Sequence, residues 1–401
     1  MTGTASFEPL FPEDRVLGAL TESAGRLIAE CQKLVGLDDK PLAAALIPLL
    51  RSMNSYYSNK IEGQHTTPAK IEAALRREYL PDAGERRKQL LATAHIDAEI
   101  TLEHRWRDEQ VRQLFSAGKV RDIHAGLFSV LPEPFCVTDD GERIVPGQLR
   151  AREVSVGRRL APEPEMIEPL LDVWATRYGG VSLREYQLIA IACSHHRLAW
   201  IHPFIDGNGR VCRLHSHLAL HAAGMTRGLW SPLRGMARTH DTYYERLAMA
   251  DMRRRNDLDG RGSLSQEELV KFAAYFIEDC CLDQVTYMSA MTNLPGFGKR
   301  LADLLRYLEH NPWQIGSEKS VVKADLATLP MEFVAVVRPI TRGEFAQMLR
   351  TSDTTARRII RSLLHFGLLK SASHRDELSF ALPLPSLRIL FPKLWPEAEA
   401  S

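Results

Sequence analysis

Twelve consecutive residues, His202-Pro203-Phe204-Ile205-Asp206-Gly207-Asn208-Gly209-Arg210-Val211-Cys212-Arg213, carry the most chemistry in this chain. Gly207, Asn208 and Gly209 permit unusual backbone angles and leave consecutive N–H groups unobstructed at a predicted helix N-terminus, an arrangement that attracts anions. Arg210 and Arg213, three residues apart, share a face of the first turn and can clamp phosphate oxygens. Asp206 is a hard oxygen ligand suited to Mg²⁺ on a polyphosphate. His202 titrates near neutral pH and can take a proton from an attacking hydroxyl. The competing account is a helix-capping turn with both arginines in surface ion pairs. Convergence of a base, a metal ligand, an anion hole and two cations in one loop disfavours it.

Two helices must hold this loop. Leu183 to Trp200 is apolar on nearly every face, as suits a helix in the middle of a bundle. A second helix is expected from about Gly209 to Ala223, with Gly224 as its C-cap. Helical periodicity also covers Val16 to Leu50 (ending at Pro48 and two leucines), Arg87 to Phe115, Thr242 to Arg255 and Ser265 to Tyr287. A break falls at Tyr79–Gly84. Between Leu131 and Pro164, five prolines and several glycines predict loops, with a turn at Val137–Gly141 and a short strand pair within Ala151–Leu160. Asn293–Gly298 reads as a linker into about a hundred residues of different character.

The loop resembles the signature of the Fic family, HxFx[D/E]GNGRxxR, and every fixed position is present. The resemblance extends more weakly over about residues 50 to 290. It implies a mainly α fold, a Fic-type helical core with a small β-hairpin flap, and transfer of AMP from Mg²⁺-ATP to a Ser, Thr or Tyr hydroxyl of a target protein or of the chain itself. Carried over, His202 is the general base and Asp206 holds Mg²⁺. Gly207, Asn208 and Gly209 cradle phosphates, and Arg210 and Arg213 engage the triphosphate. The flap is expected around Arg150 to Pro162, where Val154 to Gly157 would hold a target segment by strand addition. Ser58-Asn59-Lys60-Ile61-Glu62-Gly63 resembles the family's inhibitory motif, [S/T]xxxE[G/N]. That likeness implies that Glu62 pairs with Arg213 in the γ-phosphate's place, with Ser58 and Gly63 completing the motif. A helix end with Gly63 as C-cap is the competing account of the hexapeptide, and the full signature elsewhere in the chain disfavours it. Tyr243 and Tyr244 lie where family members often place an adenine-side aromatic; core packing fits them as well.

Two patterns promise more than they support. Asp257 to Glu268 mimics a calcium loop, but Arg261 takes a ligand position and no second loop pairs with it. His215, His217 and His221 share one helix, the last two as i,i+4 neighbours, but no nearby Glu or Cys completes a metal site. No GxGxxG or Walker pattern occurs.

Ile340–Leu349 reads as a short helix and Arg350–Ser352 as a turn. Asp353, as N-cap candidate, opens a second helix, ended by Gly367, and Leu368–Lys370 with Leu378–Leu382 suits a two-stranded wing. This resembles a winged helix-turn-helix. Thr341 to Lys370 holds six Lys/Arg against two Asp/Glu, and Thr354, Thr355, Arg357, Arg358 and Arg361 would face DNA. A winged helix that binds protein, or packs on the Fic core, is the equal alternative. The expected domains are 1–110 with the inhibitory motif, 111–292 as the Fic core and 293–401 as the winged helix. A second function class stays open: a DNA-binding regulator whose core senses nucleotide.

The whole-chain balance, 51 Lys+Arg against 50 Asp+Glu, supplies no field of its own. The longest apolar run, Leu42 to Leu50, is far below the roughly 18 residues of a membrane span. Glu8, Glu13 and Asp14 argue against a signal segment, and six scattered cysteines suit a reducing cytoplasm. Monomer and homodimer both remain open.

Overall fold

The computed structural model describes residues 4–399 apart from 139, 158 and 312–320. The chain divides into two units, one of residues 1–32, 51–66 and 70–286, the other of 33–50, 67–69 and 287–401. Both are mainly helical. The helices before the loop are α1 (Gly18–Gln32), α2 (Pro41–Ile61), α3 (Pro68–Leu75), α4 (Ala83–Arg105), α5 (Val111–Leu114), α6 (Ala117–Phe128), α7 (Ile167–Gly179) and α8 (Arg184–Ile201). After it come α9 (Asn208–Ala222), α10 (Pro232–Arg238), α11 (His240–Ala250), α12 (Gln266–Tyr275), α13 (Asp283–Thr292), α14 (Leu294–His310), α15 (Ala324–Val336), α16 (Arg342–Leu349) and α17 (Asp353–His365). No described helix is long and apolar enough to cross a membrane.

In the first unit α8 is central. Every residue from Leu188 to Leu198 is buried, and α8 packs on α7, α9, α12 and α1. The Trp174 indole of α7 donates to the Ser194 carbonyl of α8 at 3.1 Å. Ser194, His195, His196 and Arg197 of this buried helix find partners, as polar groups away from water should, whereas the Trp200 indole N–H does not. Arg197, wholly buried, donates to the carbonyls of Pro9 and Ala250. A small hairpin pairs β1 (Ser155–Val156) antiparallel with β2 (Arg159–Leu160), Ser155 opposite Leu160 and Gly157 at φ +58°. Arg158 of the expected flap and Asp139 of the expected turn lie outside the described residues.

Three expectations need correction. Pro48 does not end its helix; α2 runs through it to Ile61. An internal proline costs roughly 3 kcal/mol, but α2 buries Leu42, Leu46, Met53, Tyr56 and Tyr57, a far larger gain. Asn293–Gly298 is no linker: the Asn293 side chain caps α14, and Pro295 sits in the first turn, where proline loses no intrahelical bond. The helix after Ser265 is not uniform, because Phe276–Leu282 between α12 and α13 is π-helical.

In the second unit, α14 packs on α15, α15 on α16 and α16 on α17. Thr341 and Glu344 form a capping box on α16, Arg350 turns the chain at φ +49°, and Ser352, not the expected Asp353, caps α17 through its hydroxyl. A hairpin of β3 (Leu369–Lys370) and β4 (Ser379–Phe380) follows, and Ile340 bridges Leu378 beside it.

Candidate active site

The loop from α8 to α9 is tied down from within and from both sides. His202 ends α8 in a left-handed conformation, φ +52° and ψ +61°. The Asn208 side chain accepts from Phe204 N–H at 2.9 Å and donates to Phe204 C=O at 2.8 Å. Its amide is thereby committed to holding the turn. Gly207 has φ +80°, and a Cβ there would lie 2.5 Å from the Phe128 ring, so only glycine fits. Asp206 Oδ1 accepts from Gly207 N–H at 2.5 Å, and both of its oxygens lie 3.4 Å from the Arg210 guanidinium.

Three neighbours of the loop carried no signal in the sequence. His124 on α6 stacks on Phe204, with ring centroids 3.9 Å apart and planes 9° from parallel. Its Nδ1 accepts from Gly147 N–H at 2.8 Å, which leaves Nε2–H to donate to the Asp206 carbonyl at 3.3 Å. Burial pushes this imidazole down to about 4, consistent with that neutral tautomer. Arg150, in the loop before the hairpin, donates to the His202 carbonyl at 2.8 Å and to the Pro162 carbonyl at 2.5 Å. Its own N–H reaches the Pro203 carbonyl at 3.0 Å. Arg159 of β2 donates to the Trp200 carbonyl and pairs with Asp251 at 3.1 Å. The hairpin is therefore anchored to the segment that carries His202. A lone arginine in a Pro/Gly-rich stretch offers no motif, which is why neither anchor was legible.

Burial, followed by the charges of Arg159 and Arg150, pushes the His202 imidazole down to about 4. At neutral pH the ring is unprotonated, the state a general base requires. Arg210 is buried over the Phe128 ring at 5.1 Å, and its Nε has no hydrogen-bond partner in the structure. A buried guanidinium donor left open beside a helix N-terminus fits an anion. The first-turn N–H groups of α9 likewise have no intrahelical acceptors. Asp206 keeps 31 % side-chain exposure beside this anion site. A part-exposed carboxylate next to an open guanidinium and a helix N-terminus has the chemistry to hold Mg²⁺ on a bound anion.

Arg213 is engaged by the end of α2. Its Nε donates to Ser58 Oγ at 3.2 Å, and one terminal nitrogen reaches the Ser58 carbonyl at 3.0 Å and Glu62 Oε1 at 2.5 Å. Glu62 lies so close to the start of α9 that a Cβ on Gly209 would strike its carboxylate. Burial opposes the Glu62 charge, yet Arg213 and then Arg210 hold the carboxyl below its usual range. Burial also opposes the Arg213 charge, yet Glu62, with Tyr243 and Tyr244 adding to it, holds the guanidinium above its usual range. Gly63, at φ +68°, ends α2, with its N–H on the Lys60 carbonyl. Helix end and Arg213 partner are thus the same segment.

Of the remaining candidates, the two tyrosines lie beside the Glu62–Arg213 pair and the others are elsewhere. Tyr243 is 2 % exposed, its hydroxyl 2.8 Å from His195 Nε2 inside the core. Tyr244 is 43 % exposed, and its hydroxyl donates to the Ile61 carbonyl at 3.4 Å. Asp259, in the calcium-like run, spends its carboxylate on Ser265 Oγ and on the N–H groups of Glu267 and Arg255. Thr354, Arg357, Arg358 and Arg361 are exposed and Thr355 half-buried on α17 of the second unit.

Residues 110–220 match the model of the Fic/DOC family. That span holds the hairpin, α8, the loop and most of α9. Among curated relatives, protein adenylyltransferase fic-1 of Caenorhabditis elegans is 30% identical over 119 residues, 29% of this chain and 22% of its own. Protein adenylyltransferase Fic of Nematostella vectensis is 32% identical over 108 residues, 26% and 24% of the two chains. The chain thus spans less than a quarter of the length of these relatives. Among solved structures, a Fic family protein from Desulfovibrio desulfuricans G20 matches with TM-score 0.49 at 16% identity, covering 90% of this chain and 96% of that one.

Proposed function

We propose that this chain is a protein adenylyltransferase that moves AMP from Mg²⁺-ATP to a protein hydroxyl and is held inactive by Glu62. The observation that carries the reading is the capture of Arg213 by Ser58 and Glu62 within the loop that holds His202. The Fic/DOC match over 110–220 and the names of the curated relatives support the reaction class.

In this reading neutral His202 takes the proton of a Ser, Thr or Tyr hydroxyl as its oxygen attacks the α-phosphorus. The bond to the β-phosphate oxygen breaks and pyrophosphate leaves. Mg²⁺, arriving with ATP as substrate and held by Asp206, neutralises phosphate charge. The first turn of α9, with Gly207 and Gly209, lies against the phosphates, while Asn208 keeps the turn closed. Arg210 and Arg213 hold phosphate oxygens; Tyr244, on the exposed side, is the better placed of the two tyrosines to meet a base. The hairpin at Ser155–Leu160 presents an edge to the target segment. Glu62 competes directly, because its carboxylate fills the anion site at α9 and takes the guanidinium that a γ-phosphate would use.

Intact mass spectrometry of Glu62→Gly after incubation with Mg²⁺ and each of the four ribonucleotides tests this. The expected result is the added mass of AMP with ATP, and none in the Glu62→Gly/His202→Ala double variant. No adduct from any nucleotide on Glu62→Gly would contradict the reading.

The exposed basic face of α17, beside a groove lined by Arg342, Arg350, Arg357 and Arg361, favours a second reading for the other unit. There the helices α15–α17 with the β3–β4 hairpin act as a winged helix on DNA, and the Fic region senses nucleotide.

A further inference from the structure

His217 was left without ligand partners by the sequence, and the fold supplies them from α4. Glu99 and Glu103, one turn apart on α4, converge on His217 of α9, and one donor atom from each of the three lies within 4.8 Å of the others. His217 Nε2 is 3.2 Å from Glu103 Oε1 and 3.6 Å from Glu99 Oε1. Those spacings approach the roughly 3.3 Å between donors around a tetrahedral ion with bonds of about 2.0–2.1 Å. We propose that Glu99, Glu103 and His217 form a binding site for a divalent transition metal of the zinc class, bridging α4 and α9.

The surroundings are arranged as an outer shell. The far nitrogen of His217, Nδ1, lies 3.1 Å from Ser231 Oγ, which fixes the ring and leaves Nε2 to face the carboxylates. Asn54 of α2 donates to both oxygens of Glu99 at 3.1 and 3.2 Å. Arg51 binds Glu103 through Oε2, so Oε1 stays turned toward His217. A second, independent observation comes from His95, which is wholly buried and makes no hydrogen bond with either ring nitrogen. Its Nδ1 faces Glu99 Oε2 across 3.9 Å, a donor that a proton-only network leaves unused. His221, with 31 % side-chain exposure and Nδ1 3.7 Å from Glu103, gives the cluster an edge through which an ion enters. Arg51 pairs with Glu103 and lies 3.9 Å from Glu99, and an ion on the His217 side would offset the charge that this single guanidinium leaves on two enclosed carboxylates. On binding, the metal replaces the proton that His217 Nε2 otherwise shares with Glu103, and that proton goes to solvent. Because this cluster is separate from Asp206, it stands whether or not the chain transfers AMP.

The test is Zn²⁺ calorimetry and Co²⁺ absorption spectroscopy on the untagged full chain, with Glu103→Gln, His217→Ala and Asp206→Asn. The expected result is one Zn²⁺ per chain and an intense visible Co²⁺ band. Asp206→Asn should keep both, while Glu103→Gln and His217→Ala, checked for folding by circular dichroism, weaken binding at least 100-fold. Ser231→Ala should weaken it about 10- to 100-fold. Equal binding in wild type and the two ligand variants would overturn the proposal. If those variants unfold, wild type decides: no stoichiometric Zn²⁺, or only the pale spectrum of octahedral Co²⁺, overturns it.

Discussion

His202 occupies a left-handed backbone position at the end of α8, a conformation histidine enters more readily than branched residues do. Arg150 fixes its carbonyl, and burial with Arg159 and Arg150 nearby holds the ring at about 4. If its neutral form takes the target proton, auto-adenylylation by Glu62→Gly should be level from about pH 8 to 5 and fall only toward 4. Removing Glu62 also removes a charge that favours the protonated ring, which moves the fall lower still. A rate profile with its midpoint at the ordinary histidine value of about 6.5 would contradict this. Residue types were readable from the chain wherever they were contiguous, as in His202–Arg213. Asn208 was readable only in part: its place in the loop was plain, but the amide is spent on Phe204. His124 and Arg150 were not, because an interaction between residues many tens of positions apart leaves no local pattern.

At the scale of the element, α8 was legible from its all-round apolar character, and its polar members set its pH response. His195 and His196 are fully buried and hydrogen-bonded to Tyr243 and the Leu247 carbonyl. Burial, with Arg213 and His196 adding to it, holds His195 well below its ordinary value, and burial lowers His196 against the pull of Asp251. In the unfolded chain both titrate near 6.5, so between there and their folded values the unfolded state binds more protons. Stability should therefore fall as pH drops below about 7. Thermal melts at pH 7.5 and 5.5 check this: the midpoint should be lower at 5.5, and the difference smaller in His195→Gln. A higher midpoint at pH 5.5 would contradict it. The misread elements share a cause. Pro48 and Pro295 are breakers by type, but one is carried inside a deeply buried helix and the other sits in a first turn. Local propensity cannot report either circumstance.

For the whole molecule, the near-zero net charge conceals a division of labour. The first unit places the wholly buried Arg213 against Glu62, whereas α17 of the second exposes Arg357, Arg358 and Arg361. If that face meets DNA, duplex binding in a gel shift should weaken as salt rises. Replacing the three arginines by Ala should lower the logarithmic salt slope by roughly 0.9 for each phosphate no longer neutralised. No shift at low salt would remove the DNA reading. The central claim concerns the first unit and is tested most directly by label transfer from ATP. With Mg²⁺ and ATP labelled at the α-phosphate, Glu62→Gly should incorporate label at least tenfold faster than wild type. His202→Ala in the same background should abolish incorporation, and γ-labelled ATP should leave none on the protein. Equal incorporation by wild type and Glu62→Gly would contradict the account.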